Sequence, residues 1–441
     1  MMTLLIEFLG CKVNSYEVEA VAQDFFNHGF RLFDKKVDTF PSVVIINTCA
    51  VTETSVTKDK KMIRHYKKIY PEAVLCVMGC YSQYKGEYIL NSLGADIVIG
   101  TSNRSKLYSL YEEFISNKKK VYLHDENNKI TNYEDMHVNK FLFNTRAYVK
   151  IQDGCNNFCT YCLIPYIRGR SRSREKEDIV SEIKRLINNG HKEIVLTGVD
   201  MSSYGLDLKE KTTFSDLLEY ILVNVPELYR LRISSLEESL LDDKFLSLLA
   251  KYDSLANHLH IPLQSGSKEV VKRMNRKYDL ESFKEKVKRI RELRKGISIT
   301  TDVIVGFPGE SEENFLETYN SCKEINFSKI HVFPYSDREG TIASKMKDKI
   351  SPEVKKERVH RLLDLSNELE ENYSKNFYDQ EIEFLFEEYD PKLKAYKGHS
   401  SNYLECFVSS DTSLQGQVKK VIYTKENALH FWQCQKWKVL I

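Results

Sequence analysis

The chain has 441 residues, 42% of them hydrophobic and 29% charged, with a formal net charge of +2. That length suits two or three globular domains with a sizeable core. The charge balance excludes a uniformly basic nucleic-acid binder, so any basic footprint must be local. No apolar run approaches the length of a membrane span.

The first stretch, MMTLLIEFLGCKVN, lacks a basic n-region and is interrupted by Glu7, so it reads as a first strand and not as a signal peptide. Ten cysteines in a chain without an export signal imply reduced thiols used for metal binding or catalysis, and a cytoplasmic location. The runs TLLIEFLG, SVVIINT, AVLCVMG and ADIVIG are short and β-branched. Helical stretches at Ser15–Asn27 and Thr54–Tyr70 separate the first three. This alternation predicts a parallel sheet with helices on both faces. Residues 115–140 are polar and weakly periodic, as in a linker.

From Arg146, six further strand-like runs alternate with helices: AYVKIQ, EIVLTGV, RLRISS, HLHIPL, ISITTDVIVGF and KIHVFPYS. Such βα units predict a partial or full α/β barrel. A charged amphipathic helix over 354–378 follows, then EIEFLFEEY, YLECFVSS and GQVKKVIYT, which predict a small β-barrel. The resulting division is 2–114, 141–371 and 372–441.

Cys155-x-x-x-Cys159-x-x-Cys162 sits in the loop after AYVKIQ. Thiolates are soft ligands that favour iron–sulfur clusters, zinc or copper(I). A structural zinc site closes with four ligands, and no fourth cysteine or histidine lies nearby in the sequence. Three thiolates on a four-iron cluster leave one iron open. The residues alone leave room for a zinc site with a distant ligand, or for core cysteines.

Cys11, Cys49 and Cys80 each lie just past a predicted parallel strand. Strand ends share one edge of an α/β sheet, where ligands bind, so these three should converge. Gly10 and Gly79 before two of them allow sharp turns. Cys76, inside its strand, reads as core packing, and Cys322, Cys406 and Cys434 lack partners at ligand spacing.

The motif C-x-x-x-C-x-x-C at the mouth of an α/β barrel resembles the radical-SAM enzymes. That resemblance implies that the open iron holds S-adenosylmethionine (SAM), which is cleaved reductively to a radical. It also places Phe158 and Tyr161 around the cluster and adenine. LGCKVNSYE, INTCAVT and VMGCYSQ are similar to the N-terminal domain of the methylthiotransferases, a radical-SAM subfamily. The similarity covers nearly the whole chain, with a C-terminal module like TRAM. It implies two 4Fe-4S clusters, on Cys11, Cys49 and Cys80 and on Cys155, Cys159 and Cys162, with the first carrying the sulfur to be inserted. Ser235, Gln264, Asp302 and Gly306, at strand ends, would contact SAM. GCKVN, LTGVDMSSYG and GHSSNYLE look like the branch acting on N6-threonylcarbamoyladenosine next to the tRNA anticodon. The sister branches act on isopentenyladenosine or on a ribosomal-protein aspartate. A partner in the tRNA anticodon loop, a reductant such as a flavodoxin or ferredoxin, and an unidentified sulfur donor follow from the same resemblance, and no membrane is involved. A rival of another class is a non-catalytic metal-containing nucleic-acid-binding protein.

Two basic tracts are candidates for RNA phosphate. One is the helix after Cys49, with Lys60, Lys61, Arg64 and Lys67, opposed only by Asp59. The other is the run Arg168, Arg170, Arg172 and Arg174 beside the second triad, which would also pair with a substrate carboxylate. Lys397 and His399 are candidates in the C-terminal module, which carries no net basic charge. Ordinary solvated faces are the alternative for each tract.

Overall fold

The computed structural model describes residues 2–126 and 129–428. The N-terminal strands Thr3–Phe8, Val43–Thr48, Val74–Gly79 and Ile97–Ile99 form the centre of a six-stranded sheet, and every pair in it is parallel. Their apolar runs are continuous because both faces are covered. Leu4, Val43, Ile45, Cys76 and Met78 pack on one side with helix Lys12–Asn27, while Leu5, Val44, Ile46, Leu75 and Val77 pack on the other against helices Glu53–Ile69 and Cys80–Ser92. This is the two-residue alternation of a pleated strand.

Two further strands differ from the sequence expectation. Arg31–Leu32 adds one edge, and Val121–Leu123, inside the supposed linker, adds the other. An edge strand needs only one hydrogen-bonded neighbour, so its apolar signal is short and diluted by polar flanks. Residues 129–140 are not a free tether, since Met136 and Val138 are buried in the main core.

The central strands Ala147–Lys150, Glu193–Thr197 and Arg230–Ile233 form one parallel sheet, and His258–His260, Ser298–Val305 and Lys329–Pro334 another. A parallel bridge between Leu231 and Leu255 and a hydrogen bond from Leu236 N–H to His260 O connect them. The result is a six-stranded partial barrel. Helix Lys12–Asn27 packs on strand Ala147–Lys150, and one apolar cluster runs through both regions.

Helix Pro352–Lys375 covers strand Lys329–Pro334 and leads to four antiparallel strands. Ala395–Ser400, which the sequence reading did not take as a strand, is central among them. Glu405–Val408 and Val418–Tyr423 are the edges, and the chain after the second edge returns to the first through a Cys406–Ala428 bridge. Cys434 lies outside the described residues. No helix among the described residues is long and apolar enough to cross a membrane.

Candidate metal centres and the barrel cavity

The three strand ends that carry Cys11, Cys49 and Cys80 are adjacent in the sheet. Gly79 has φ +103°, and a Cβ there would lie 2.2 Å from Asn47 Oδ1 and 2.5 Å from Thr48 O. Gly10, at φ +123°, leaves room for Asn14. The Asn14 amide donates to Leu9 O at 3.0 Å and Thr48 O at 3.1 Å, and so fixes the first two strand ends to each other. Cys11 caps helix Lys12–Asn27, and Cys80 begins helix Cys80–Ser92. The positive end of each helix favours a thiolate.

Cys49 is buried, and its N–H donates to Asp59 Oδ2 at 2.9 Å. Asp59 therefore lies beneath the basic helix instead of opposing its charges at the surface. Burial pushes its carboxyl up to about 7 against that hydrogen bond. Burial also raises the Cys49 thiol to about 12, and Cys80 and Cys11 add to the shift. The three thiols thus share one electrostatic neighbourhood.

Cys155, Cys159 and Cys162 share another. Burial raises the Cys162 thiol to about 12; Cys159 and Cys80 reinforce it, so the two triads sense one another. The loop is held by backbone bonds from Cys155 N–H to Gly169 O and from Thr160 N–H to Met274 O. Cys155 Sγ lies 3.7 Å from Asp200 Oδ2, and Arg276 Nη1 lies 3.9 Å from Cys159 Sγ while pairing with Glu237 at 3.0 Å. Phe158 packs on Tyr166 and beneath Arg170, and Tyr161 reaches toward Phe307.

Both donor sets consist of soft thiols, the chemistry that iron–sulfur clusters require. Among the described residues no three His, Cys, Asp or Glu side chains are gathered at the spacing of one metal ion. A four-iron cluster places its thiolates on different irons, and so asks for wider spacing than zinc does.

The arginines after Cys162 correct the expectation of an RNA contact. Arg168, Arg172 and Arg174 are buried, and only Arg170 of the run is exposed. Arg168 donates to Glu17 at 2.8 Å, Asp153 at 2.9 Å, Asn14 at 3.0 Å and Cys80 Sγ at 3.3 Å. Arg172 donates to the carbonyls of Arg168 and Arg170, and Arg174 pairs with Glu182. Arg104 and Lys150 join the same network around Glu17 and Asp153. Burial opposes ionisation of Glu17, yet Arg104, Arg168 and Lys150 hold its carboxyl at about 2. The run reads as a surface feature because its carboxylate partners lie outside it, from 8 residues away for Glu182 to 151 for Glu17.

His399 is likewise buried, bonded to Glu387 at 2.6 Å and paired with Glu405 at 3.3 Å, and is not open to RNA. Lys397 is half-buried against Glu405. On helix Glu53–Ile69, Lys61 and Arg64 are exposed, Lys60 approaches Tyr81 and Tyr88, and Lys67 is tied to Asp96 at 3.1 Å.

Inside the partial barrel lies a cavity of about 330 Å³. Ser235 and Asp302 line it, together with Cys11 and Lys12 from the N-terminal sheet and Tyr403 from the C-terminal module. Gln264 and Gly306 do not line it. Gln264, at φ +61°, bridges to Val303. Gly306 donates its N–H to Glu310, and its α-carbon face is covered by Lys355. Cys159 lines a separate, smaller cavity of about 140 Å³ with Glu237 and Arg276.

Lys12, His258, His260 and His331 line the cavity without having stood out by motif, and Tyr403, a candidate for RNA contact by its sequence, lines it too. The only signal for Lys12 is its place beside Cys11 in GCKVN. The phenol of Tyr403 stacks on His258 and accepts from Arg146 at 3.1 Å. Burial opposes its ionisation, but Arg146, His399, Lys12 and Arg232 bring it down to about 7.

Residues 149–322 match the radical SAM superfamily, and residues 3–100 match the uncharacterized protein family UPF0004. The chain is 41% identical to the threonylcarbamoyladenosine tRNA methylthiotransferase MtaB of Bacillus subtilis (strain 168), over 96% of this chain and 93% of that protein. It is 36% identical to the protein of the same name from Aquifex aeolicus (strain VF5), over 86% and 90%. The tRNA-2-methylthio-N(6)-dimethylallyladenosine synthase of Bacillus subtilis is 37% identical over 87% and 75%. Among solved structures, the radical S-adenosylmethionine methyltransferase TsrM from Kitasatospora setae superposes with a TM-score of 0.56 at 14% identity. The match covers 76% of this chain and 75% of that one, and it shows a shared fold.

Proposed function

Given that the chain belongs to the tRNA methylthiotransferase family of radical-SAM enzymes, we propose that it converts N6-threonylcarbamoyladenosine next to the tRNA anticodon to its 2-methylthio derivative. The observation that carries this reading is the barrel cavity. Cys11 of the first triad and the barrel residues Ser235 and Asp302 face the same space. A substrate carbon bound there lies beside the candidate sulfur-carrying site and inside the barrel. The two relatives named above whose own length is most fully covered, at 93% and 90%, bear the threonylcarbamoyladenosine name, which supports this branch over its sisters.

Cys155, Cys159 and Cys162 would hold one 4Fe-4S cluster, and Cys11, Cys49 and Cys80 a second. Bound there, these groups with SAM would supply a carbon radical able to take hydrogen from an unactivated C–H, and a sulfur to replace it. The protein's part is to bind, orient and shield. Arg168 joins the two triads: it sits between Glu17 of the N-terminal helix and Asp153 of the barrel and donates to Cys80. Arg276 and Glu237 flank Cys159 and orient whatever occupies the adjoining cavity. Lumen walls that exclude water strengthen each polar contact inside them. Electrons would come from a small carrier protein such as a flavodoxin or ferredoxin, and RNA would approach over the exposed Lys61–Arg64 face.

Mass spectrometry of nucleosides from the tRNA of a deletion strain tests the reading. The 2-methylthio form of threonylcarbamoyladenosine should disappear while its precursor remains. Loss of methylthio-isopentenyladenosine instead would assign the sister activity. Intact tRNA nucleosides with an unmodified ribosomal-protein aspartate would assign the other.

A further inference from the structure

The cationic groups around the barrel cavity are almost all committed to partners. Arg146 pairs with Glu387 at 3.0 Å and donates to the Tyr403 hydroxyl at 3.1 Å. Arg232 pairs with Glu193 at 2.6 Å and donates to the carbonyls of Ser400 and Ser401. His260 is shared between Thr300 and Asp302. Lys12 is different. It lines the cavity, and among the described residues its side chain forms no ion pair and no hydrogen bond; against burial, Tyr403 and Cys11 favour its charge. It also opens helix Lys12–Asn27, and Cys11, Lys12 and Val13 at that helix N-terminus all line the cavity.

A second, independent observation comes from His258 in the same cavity lining. His258 is 5% exposed, and it uses Nε2 on Thr300 Oγ1 at 3.0 Å. Its Nδ1 is buried without a partner. Burial keeps this imidazole neutral. A lysine side chain without an ion-pair partner, a helix N-terminus and an imidazole with one unpartnered nitrogen line one cavity, a combination that suits a compact anion with a hydrogen-bonding neighbour. The cavity volume stands at the lower end of the ~300–1,000 Å³ usual for small-molecule sites. That suits a modified base better than a stretch of RNA backbone.

We propose that Lys12 is the specificity-determining residue of this cavity, and that it pairs with the carboxylate that ends the N6 substituent of the substrate adenosine. The proposal rests on the threonylcarbamoyl reading given above. It gives that carboxylate the cationic partner that Arg168, Arg172 and Arg174 cannot supply, since all three are buried in ion pairs or on backbone carbonyls. An isopentenyl group carries no charge and would leave Lys12 unpaired in a half-enclosed site, a cost that discriminates between the two substrates.

SAM also carries a carboxylate, so the test must separate the two sources. The reconstituted full-length protein is assayed with anticodon stem-loops bearing threonylcarbamoyladenosine, its methyl ester or isopentenyladenosine. KM and kcat are measured for each RNA, and SAM affinity is measured separately. Lys12→Gln should raise KM for the free acid by about tenfold or more, as expected for loss of a partly desolvated charge pair. It should leave the ester, the SAM affinity and the iron content unchanged, and Lys12→Arg should restore most of the preference for the acid. If wild type prefers the acid over the ester and Lys12→Gln prefers it equally, the assignment of Lys12 is overturned and the substrate reading stands. If Lys12→Gln loses SAM affinity and keeps its RNA preference, Lys12 serves SAM and the proposal is overturned. If wild-type protein favours the isopentenyl stem-loop, the substrate reading fails and this proposal fails with it.

Discussion

Cys155, Cys159 and Cys162 lie within eight residues on one loop, whereas Cys11, Cys49 and Cys80 come from three strand ends spread over 70 residues. The loop triad owes its spacing to the local chain, and the backbone bonds to Gly169 and Met274 only anchor it. The strand-end triad has no local spacing at all. It exists because three parallel strands are neighbours and because Gly10 and Gly79 adopt conformations closed to other residues. A local site can survive damage to the sheet, but a site assembled by tertiary structure cannot.

The sharpest test separates the two chemically. Cys159→Ala should abolish reductive cleavage of SAM and halve the iron content, with the strand-end site still loaded. Cys49→Ala should also halve the iron but keep SAM cleavage. Iron and sulfide analysis with 5′-deoxyadenosine quantitation reads both. Full iron in reconstituted Cys49→Ala protein would remove the strand-end site from consideration.

Next in size is the residue that joins the triads. Arg168→Ala leaves Glu17 and Asp153 buried with one cation fewer, which costs about 3–5 kcal/mol by analogy with other broken buried pairs. Thermal unfolding should show the loss. If the melting temperature does not move, the buried network is not the hinge between the two regions.

Glycine substitutions should then damage one triad at a time. Gly79→Ala places a Cβ 2.2 Å from Asn47 Oδ1, and Gly154→Ala, at φ +75°, places one 2.0 Å from Arg170 O. Each should cost about 1–3 kcal/mol from backbone strain. The first should lower iron at the strand-end site and the second at the loop site. Equal loss at both sites in either variant would contradict independent assembly.

The smallest effect concerns the surface. Lys61→Glu with Arg64→Glu should weaken tRNA binding several-fold and make log K less steep against log salt, by about 0.7–0.9 for each phosphate no longer neutralised. SAM cleavage without RNA should not change. An unaltered salt slope would make this helix face an ordinary solvated one.

Strand alternation, βα order and the short C-x-x-x-C-x-x-C spacing were legible in the sequence because each is a local pattern. The edge strands Arg31–Leu32 and Val121–Leu123 were not, since one neighbour suffices to hold them and their apolar signal is slight. Within the site, the thiols stood out by residue type. Lys12 did not, because a single lysine after a cysteine carries no periodicity.

By itself, therefore, the chain determined its fold class and the six thiols with a strand-end or loop context. Tertiary structure alone decided which charges are free. Arg168, Arg172 and Arg174 look like a solvent-facing basic run, yet distant carboxylates and backbone carbonyls take them into the interior. Lys12 looks ordinary, yet its side chain lines the cavity with no ion pair or hydrogen bond among the described residues. Pairing between ions depends on distance in space, and sequence separations of over a hundred residues, as between Arg168 and Glu17, give no local pattern from which it can be read.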